Sequence, residues 1–394
     1  MSLKIGLLND SFPPVIDGVA NAVKAYADIL SKDNEPVVIT PKYPHIVDKY
    51  PYEVFRYHSI PTDKIFSYRA GNPFNPISVA ELINKKFDIL HVHCPFASAV
   101  LAIIIKKLSA KKIPLVFTYH TKFDIDISNR IPTKKIRRFV TKFVVKNISA
   151  MDEVWVVSEG AGKNLRDIGY KGTYRVMPNG TDFEKRRADE SLIASLKEKH
   201  NIRDDEKVFL FVGRMMWYKN IGKIIQAMKL LKEKGVKFKM VMVGQGDDLF
   251  SMQQYALELG LKDNFVFTGA IFDRELLRGY YSAADLFVFP STYDTSGLVV
   301  KEAAACACPS LLVKDSCAAE GIEDMVSGYL CEENAESCAN AIYSAISDED
   351  KLKQVGKCAE EQVYYSWNDA VNDARLRYEE LVKTKKAKEG FWRK

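Results

Sequence analysis

Short, unbroken apolar runs alternate along the whole chain with longer stretches in which apolar residues return every three or four positions. The first pattern marks a strand buried on both faces and the second a helix laid over it, so the chain reads as α/β, with parallel sheets covered by helices. Strands are expected at residues 4–8, 36–40, 88–92, 115–118, 153–157 and 173–177, with helices at 18–31, 96–109 and 133–148 among the segments between them. The pattern then restarts at 207–213 and continues through strands at 238–243, 265–268, 286–289 and 310–313. Two doubly wound, Rossmann-like domains follow, residues 1–184 and 185–365. Between them the turn-forming Pro178-Asn179-Gly180-Thr181-Asp182 and the charged, poorly periodic residues 183–205 read as a hinge.

The chain's 394 residues, 47% of them hydrophobic, suffice for two sizeable cores, and 11% aromatic residues argue against disorder. The net charge of +6 is too small for a typical nucleic-acid binder. The longest apolar run, from Pro95 to Ile105, falls far short of the ~20 residues that cross a bilayer. The first residues read as a strand rather than a signal peptide, so a cytoplasmic protein is expected, with its seven cysteines reduced. Cys306-Ala307-Cys308 lacks a second pair at zinc-site spacing, and no metal is expected.

In doubly wound sheets ligands bind beyond the carboxyl ends of the strands, and two such sheets make an interdomain cleft the expected site. Candidate residues do follow strands. After 286–289 comes Ser291-Thr292-Tyr293-Asp294-Thr295-Ser296-Gly297-Leu298-Val299, a small-residue turn into a helix whose free N–H groups can hold a phosphate. Asp294 and Glu302, with seven residues between them, either serve a ligand there or cap and solvate the helix. After 207–213, Arg214 and Lys219 flank another helix start and suit a diphosphate. The segment is not a Walker loop, and Gly244-Gln245-Gly246 lacks the third dinucleotide-site glycine. His91 and His93 share one face of a strand, His91 as a core residue and His93, nearer the strand end, as an acceptor-side candidate. Residues 133–148 form a basic amphipathic helix carrying Lys134, Lys135, Arg137, Arg138, Lys142 and Lys146 without an acid. Its apolar stripe either faces the core, leaving a solvated basic face, or helps to dock the helix on anionic headgroups.

Taken in order, these segments resemble the retaining glycosyltransferases of family 4, which have the GT-B fold. The likeness spans nearly the whole chain. It is carried by Pro13-Pro14-Val15-Ile16-Asp17-Gly18-Val19, His91-Val92-His93, Tyr119-His120-Thr121, Pro178–Asp182, Gly213-Arg214 with Lys219-Asn220, Val243–Gly246, Ala284–Val288, the Asp294–Glu302 segment and Trp367 in a final helix. The resemblance implies that the tail, 366–394, rejoins the first domain. It also implies a nucleotide diphosphate sugar as donor, held by the second domain, and no metal cofactor. Arg214 and Lys219 would bind the diphosphate, and Glu302 the ribose. The backbone of Ser296, Gly297, Leu298 and Val299 would hold phosphate and sugar, Ile271 would border the base, and His120 would orient a hydroxyl of the transferred sugar. Gly213 and Gly18 would line the donor site, with Asp17 and Asp124 on the acceptor side; Asp124 and Asp126 could instead be a metal pair, a general base or plain solvation. The chain departs from the family at Asp294, in place of the first of two glutamates, at Ala307, in place of a glycine, and at Asp17, in place of the first of two glycines. Altered donor preference is expected from these changes.

The expected activity is hexosyl transfer, with retention of configuration, from a nucleotide diphosphate sugar, most simply a UDP-sugar, to an acceptor hydroxyl. The basic helix and the surroundings of His120 resemble membrane-associated glycolipid synthases, which implies a peripheral site on the inner face of the plasma membrane and a lipid or polysaccharide precursor as acceptor. A synthase using a small soluble sugar acceptor, and a nucleotide-sugar-binding scaffold with decayed activity, are the alternatives. Arg214→Ala should lower turnover severely in the enzyme, whereas binding without hydrolysis or transfer would mark the scaffold.

Overall fold

The computed structural model describes residues 2–15, 17–62, 69–123, 127 and 133–391, the last six through their backbone alone. The chain forms two compact units, Met1–Asn179 with Trp367–Lys394, and Gly180–Ser366.

The first unit runs β1 (Lys4–Leu8), α1 (Gly18–Leu30), β2 (Glu35–Pro41), β3 (Glu53–Tyr57), β4 (Ser59–Ile60), β5 (Ala70–Gly71), α2 (Pro76–Asn84), β6 (Ile89–Val92), α3 (Ala97–Leu108), β7 (Leu115–Tyr119), α4 (Lys134–Ser149), β8 (Glu153–Val156), α5 (Glu159–Asp167) and β9 (Arg175–Val176). Its main sheet has the order β3-β2-β1-β6-β7-β8-β9 and every pairing is parallel. The direction of strand progression reverses at β1, which places the loops after β1 and β6 side by side at a topological switch point. The central strands have no polar face because helices cover both sides. Leu8, Leu90, Val92 and Phe117 pack beneath α2, α3, α4 and α5, while Ile5, Leu7, Ile89 and Trp155 pack on the opposite side.

The second unit runs α6 (Glu190–Lys199), β10 (Lys207–Val212), α7 (Ile221–Glu233), β11 (Phe238–Val243), α8 (Leu249–Glu258), β12 (Phe265–Gly269), α9 (Arg274–Ala283), β13 (Leu286–Phe289), α10 (Leu298–Ala305), β14 (Ser310–Val313), β15 (Tyr329–Cys331), α11 (Ala335–Ile346) and α12 (Glu349–Gln362). Its sheet, β12-β11-β10-β13-β14-β15, is also wholly parallel and reverses at β10. The last helix, α13 (Trp367–Phe391), returns to the first unit and packs along α1. There the Tyr378 ring stacks on Trp155 at 5.5 Å, and Arg377 pairs with Glu153 at 2.5 Å.

Residues 183–205 are not the linker expected from their charge. They belong to the second unit: Phe183, Ala188, Ile193 and Leu196 are buried, and α6 rises in their midst. Phe183 lies beneath the guanidinium groups of Arg274 and Arg278, at 4.2 and 4.6 Å from its ring centre. Cation–π contact with charged neighbours, rather than an apolar run, holds this segment in place. No helix among the described residues is long and apolar enough to cross a membrane.

Candidate active site

In the second unit, the strand-to-helix turn after β13 is built around Gly297. Its φ of +55° is left-handed, and a Cβ there would meet Ala318 at 3.0 Å, so both conformation and space favour glycine. This bend starts α10 with no side-chain cap: the Val300 N–H turns back on Gly297 O at 2.8 Å, while those of Leu298 and Val299 at the helix start have no intrahelical acceptor. Ser296 adds a hydroxyl that is buried and without a hydrogen-bond partner among the described residues. Backbone donors, the positive end of the helix dipole and an unmatched hydroxyl form an anion site. Leu298 and Val299, half-buried, are the first residues of the helix.

Lys219 and Arg214, paired in the sequence reading, differ sharply. The Lys219 side chain is buried, and its Nζ donates to both oxygens of Asp294, at 2.7 and 2.8 Å, above the Phe289 ring at 5.6 Å. Ser291 Oγ donates to the same carboxylate at 2.5 Å. Arg214 is exposed and has no ion-pair partner among the described residues. The segment that carries them is fixed by its neighbour: Gly213 N donates to Val243 O at 3.0 Å and Met215 N to Gln245 O at 2.9 Å. A Cβ on Gly244 would lie 1.8 Å from Gly213 O, so Gly244 serves this close backbone approach.

Asp294 therefore neither caps α10 nor stands in solvent; it is the counter-ion of a buried lysine. Glu302 is not on a solvated face either. Its carboxylate is buried and accepts from Arg274 Nη2 at 2.8 Å and Tyr281 OH at 2.9 Å, while Arg274 also pairs with Asp182. Burial raises the Glu302 carboxyl above the ordinary range, against the lowering pull of Arg274. Sequence reasoning missed Arg274 and Tyr281, because an arginine beside an N-capping aspartate and a tyrosine in a helix are ordinary residues. Only the α9–α10 packing brings them to Glu302. Ile271, half-buried between β12 and α9, packs against the core of this unit.

In the first unit, β6 and β7 bring three histidines together. His91 is the core residue expected, held by Thr118 Oγ1 and Tyr378 OH, each at 2.6 Å. His93, expected to meet an acceptor, is instead 1% exposed, and its Nδ1 lies 2.9 Å from His120 Nε2. Burial lowers all three rings, His120 to about 3, so each is neutral at physiological pH. Asp17 is a correction of a second kind: its Oδ1 caps α1, accepting from Val19 N and Ala20 N at 2.9 and 2.7 Å, a local hydrogen bond that competes with any acceptor role. Gly18 is exposed, and a Cβ there would meet nothing within 4 Å, so the chain's own packing does not call for glycine at this place. Asp124 and Asp126 lie outside the described residues.

On α4 the apolar positions divide. Val144, Asn147 and Ile148 are buried against the sheet, whereas Ile136, Phe139 and Phe143 are 52%, 71% and 37% exposed. Lys134, Lys135, Arg138 and Lys142 stand exposed among them without a carboxylate partner among the described residues, and Arg137 is half-buried.

Two parallel α/β units, each with its candidate residues at the carboxyl ends of its strands, define the GT-B class of glycosyltransferase architecture. Solved structures agree: the HepE protein of Anabaena, in complex with UDP and glucose, superposes with a TM-score of 0.74 at 18% identity, covering 96% of this chain and all of that one. Residues 16–185 match the family described as Glycosyltransferase Family 4 and residues 193–362 that described as Glycosyl transferases group 1. An alpha-monoglucosyldiacylglycerol synthase from Streptococcus pneumoniae is 30% identical over 78% of this chain and 70% of its own length. An N-acetyl-alpha-D-glucosaminyl L-malate synthase from Bacillus anthracis is 24% identical over 92% of this chain and 93% of its own. The chain belongs to glycosyltransferase family 4.

Proposed function

We propose that this glycosyltransferase moves a hexose from a UDP-sugar to the hydroxyl of a lipid acceptor, with retention of configuration, while docked on an anionic membrane surface. The observation that carries the donor half is the start of α10, where an uncapped helix end, a left-handed glycine and the unmatched Ser296 hydroxyl offer donors to a phosphate. Exposed Arg214 supplies a second, unspent charge. The related HepE structure contains UDP and glucose, and the pneumococcal relative is named for a diacylglycerol product; both support the substrate classes.

In this reading the bond from the sugar's anomeric carbon to the diphosphate breaks, and the bond to the acceptor oxygen forms on the same face. The acceptor proton passes to the departing phosphate. Arg214 and the α10 N–H groups stabilise the charge that grows on the diphosphate, and Glu302 receives the ribose hydroxyls. Asp294 is held by Lys219 and Ser291, which suits orientation of the donor sugar rather than nucleophilic attack. No resident metal is part of the scheme. On the lipid side, the basic charges and exposed Ile136 and Phe139 of α4 suit a surface with anionic headgroups and an apolar interior.

The test is thermal unfolding against a panel of UDP- and GDP-sugars, since a ligand that binds only the folded chain stabilises it by about 2.7 kcal/mol at a hundredfold excess over its dissociation constant. A rise with one UDP-sugar, absent in Arg214→Ala, supports the donor site; no rise with any donor sinks it. A small soluble acceptor is the second reading, favoured by the relative whose name specifies L-malate. Transfer to malate without vesicles would select it.

A further inference from the structure

We infer that Arg274 is a positioning residue for the donor's ribose: together with Tyr281 it fixes the Glu302 carboxylate so that each oxygen keeps a lone pair for one of two neighbouring hydroxyls. This deepens the proposed function and rests on the reading of Glu302 as the ribose ligand.

Arg274 and Tyr281 stand about two turns apart on α9, hence on one face of it, and Glu302 lies about one turn into α10. Arg274 Nη2 donates to Glu302 Oε1 at 2.8 Å and Tyr281 OH to Glu302 Oε2 at 2.9 Å. Among the described residues, each carboxylate oxygen thus accepts from one side chain. An ionised carboxylate has about four acceptor positions, divided between its oxygens. Each oxygen therefore retains a free position, and the side chain is 12% exposed, so a ligand can reach it. Free acceptors on adjacent oxygens match the hydroxyls of a vicinal diol; a ligand with a single hydroxyl leaves one of them unmatched.

Both donors are held independently of the carboxylate. The Arg274 guanidinium lies over the Phe183 ring at 4.2 Å, and its Nη2 also binds Asp182. The Tyr281 ring is buried, edge-on to Phe183 at 5.8 Å and to Phe287 at 5.5 Å. The last torsion of a glutamate, in contrast, is broad. Control therefore runs from the arginine and tyrosine to the glutamate.

The charges act in the same sense. Glu302 is faced by Arg274 and Tyr281 from α9, by Asp182 from the segment before Phe183, and by Cys306 at the end of α10. Burial pushes the Cys306 thiol up to about 11, so it is neutral. Burial and Asp182 favour the protonated Glu302 carboxyl, and Arg274, ahead of Tyr281, opposes them. A protonated Glu302 offers the diol fewer acceptors, and neutral hydrogen bonds have about half the strength of those to a carboxylate.

The experiment is calorimetric binding of UDP and of 2′-deoxy-UDP to the full chain, without acceptor, over a pH series. The phosphates of the two nucleotides titrate alike, so the ratio of their affinities reports the diol contact. The wild type should prefer UDP by about ten- to a hundredfold, the worth of one hydrogen bond to a charged group. Glu302→Gln should lose most of that preference. Arg274→Met should reduce it, and the pH at which the preference is half lost on acidification should rise by about one unit or more. Arg274→Lys keeps the charge and should move that midpoint less. A merely structural role would weaken both nucleotides alike and leave the midpoint in place. Tyr281→Phe removes one O–H while its ring stays packed between Phe183 and Phe287, so it tests the same claim with the packing intact; the preference should fall by a smaller factor. Wild-type preference and midpoint in both Arg274→Met and Tyr281→Phe overturn the assignment. If instead Glu302→Gln keeps the full preference, or the wild type does not bind UDP, the reading of the donor site fails and the inference falls with it.

Discussion

Lys219 Nζ meets both carboxylate oxygens of Asp294, at 2.7 and 2.8 Å, and the lysine side chain is only 7% exposed. A lysine this deeply placed needs a counter-ion, because an unpaired buried charge is far more costly than the pair is favourable. The shortening of the family's glutamate to aspartate thus has a structural counterpart here: a carboxylate that closes on Lys219 and Ser291.

The two cations of this site should therefore fail differently when altered. Asp294→Asn leaves Lys219 buried without its partner and should destabilise the second unit by about 3 kcal/mol, the low end for a broken buried pair because the Asp294 side chain is 25% exposed. Arg214→Ala removes an exposed, unpaired charge and should change stability by less than about 0.5 kcal/mol. Its effect should fall on turnover, about a hundredfold if the group stabilises charge on the leaving diphosphate. Urea unfolding and transfer kinetics on both variants separate these outcomes; near-normal turnover in Arg214→Ala would remove it from the mechanism.

Ala307 was expected to alter donor preference, but the structure places it at the far end of α10, with φ +52°. The helix closes there through Ala307 N to Ala304 O and Cys308 N to Ala303 O, both 3.0 Å, a termination that usually puts glycine in the left-handed position. An L-residue pays about 1–2 kcal/mol for that conformation, and glycine returns about 0.4–1 of it through a freer unfolded chain. Ala307→Gly should raise stability by roughly 0.5–1 kcal/mol, read as a higher urea midpoint, with the donor KM unchanged. A fall in stability would mean that the alanine methyl packs more than the backbone strains.

The architecture was legible because parallel strands buried on both faces leave unbroken apolar runs. β1, β11, β13 and β14 lie where the sequence puts them, to the residue. β3 escaped notice because it is an edge strand, Glu53-Val54-Phe55-Arg56-Tyr57, with a polar residue among half-buried ones. β15 escaped because it has only three residues. In the candidate site, the loops and their order were legible, while partners were not. That Asp294 answers Lys219, Glu302 answers Arg274, and His93 answers His120 depends on tertiary packing across 75, 28 and 27 positions, and no local pattern records such pairs.

The histidine array gives the fold a defined response to acid. Burial lowers His120 from its ordinary 6.5 to about 3, and lowers His91 and His93 well below 6.5. As pH falls below 6.5 the unfolded chain takes up protons that the folded chain refuses, so the stability is complete above that pH and is lost progressively toward about 3. Each such ring contributes a slope of up to about 1.4 kcal/mol per pH unit. Asp10 and Glu302, raised by burial, act in the opposite sense, since their folded forms take up a proton before the unfolded chain does. Urea midpoints between pH 7 and 5 should fall, and His91→Asn should flatten the slope by about one ring's share. A slope untouched by that substitution would show that His91 titrates normally.

The face of α4 makes the strongest claim about where the enzyme works. Docking by charge alone would be sensitive to salt and indifferent to Phe139; docking by apolar insertion alone would ignore lipid charge. The helix presents both, since Phe139 is 71% exposed beside four exposed cations without carboxylate partners among the described residues. Lys134→Glu with Arg138→Glu should weaken binding to phosphatidylglycerol vesicles by about 2–4 kcal/mol, each cation counting for about 1 near such a surface and each new carboxylate adding repulsion. Phe139→Ser should cost about 1.5–3 kcal/mol if the ring leaves water, and this loss should persist in 0.5 M salt, where charge attraction is screened within about 4 Å. Co-sedimentation of the full chain with phosphatidylglycerol and with phosphatidylcholine vesicles reads both effects. Equal binding of wild type and charge-reversed chain to the anionic vesicles would free α4 from the membrane and return the choice of acceptor to the soluble alternative.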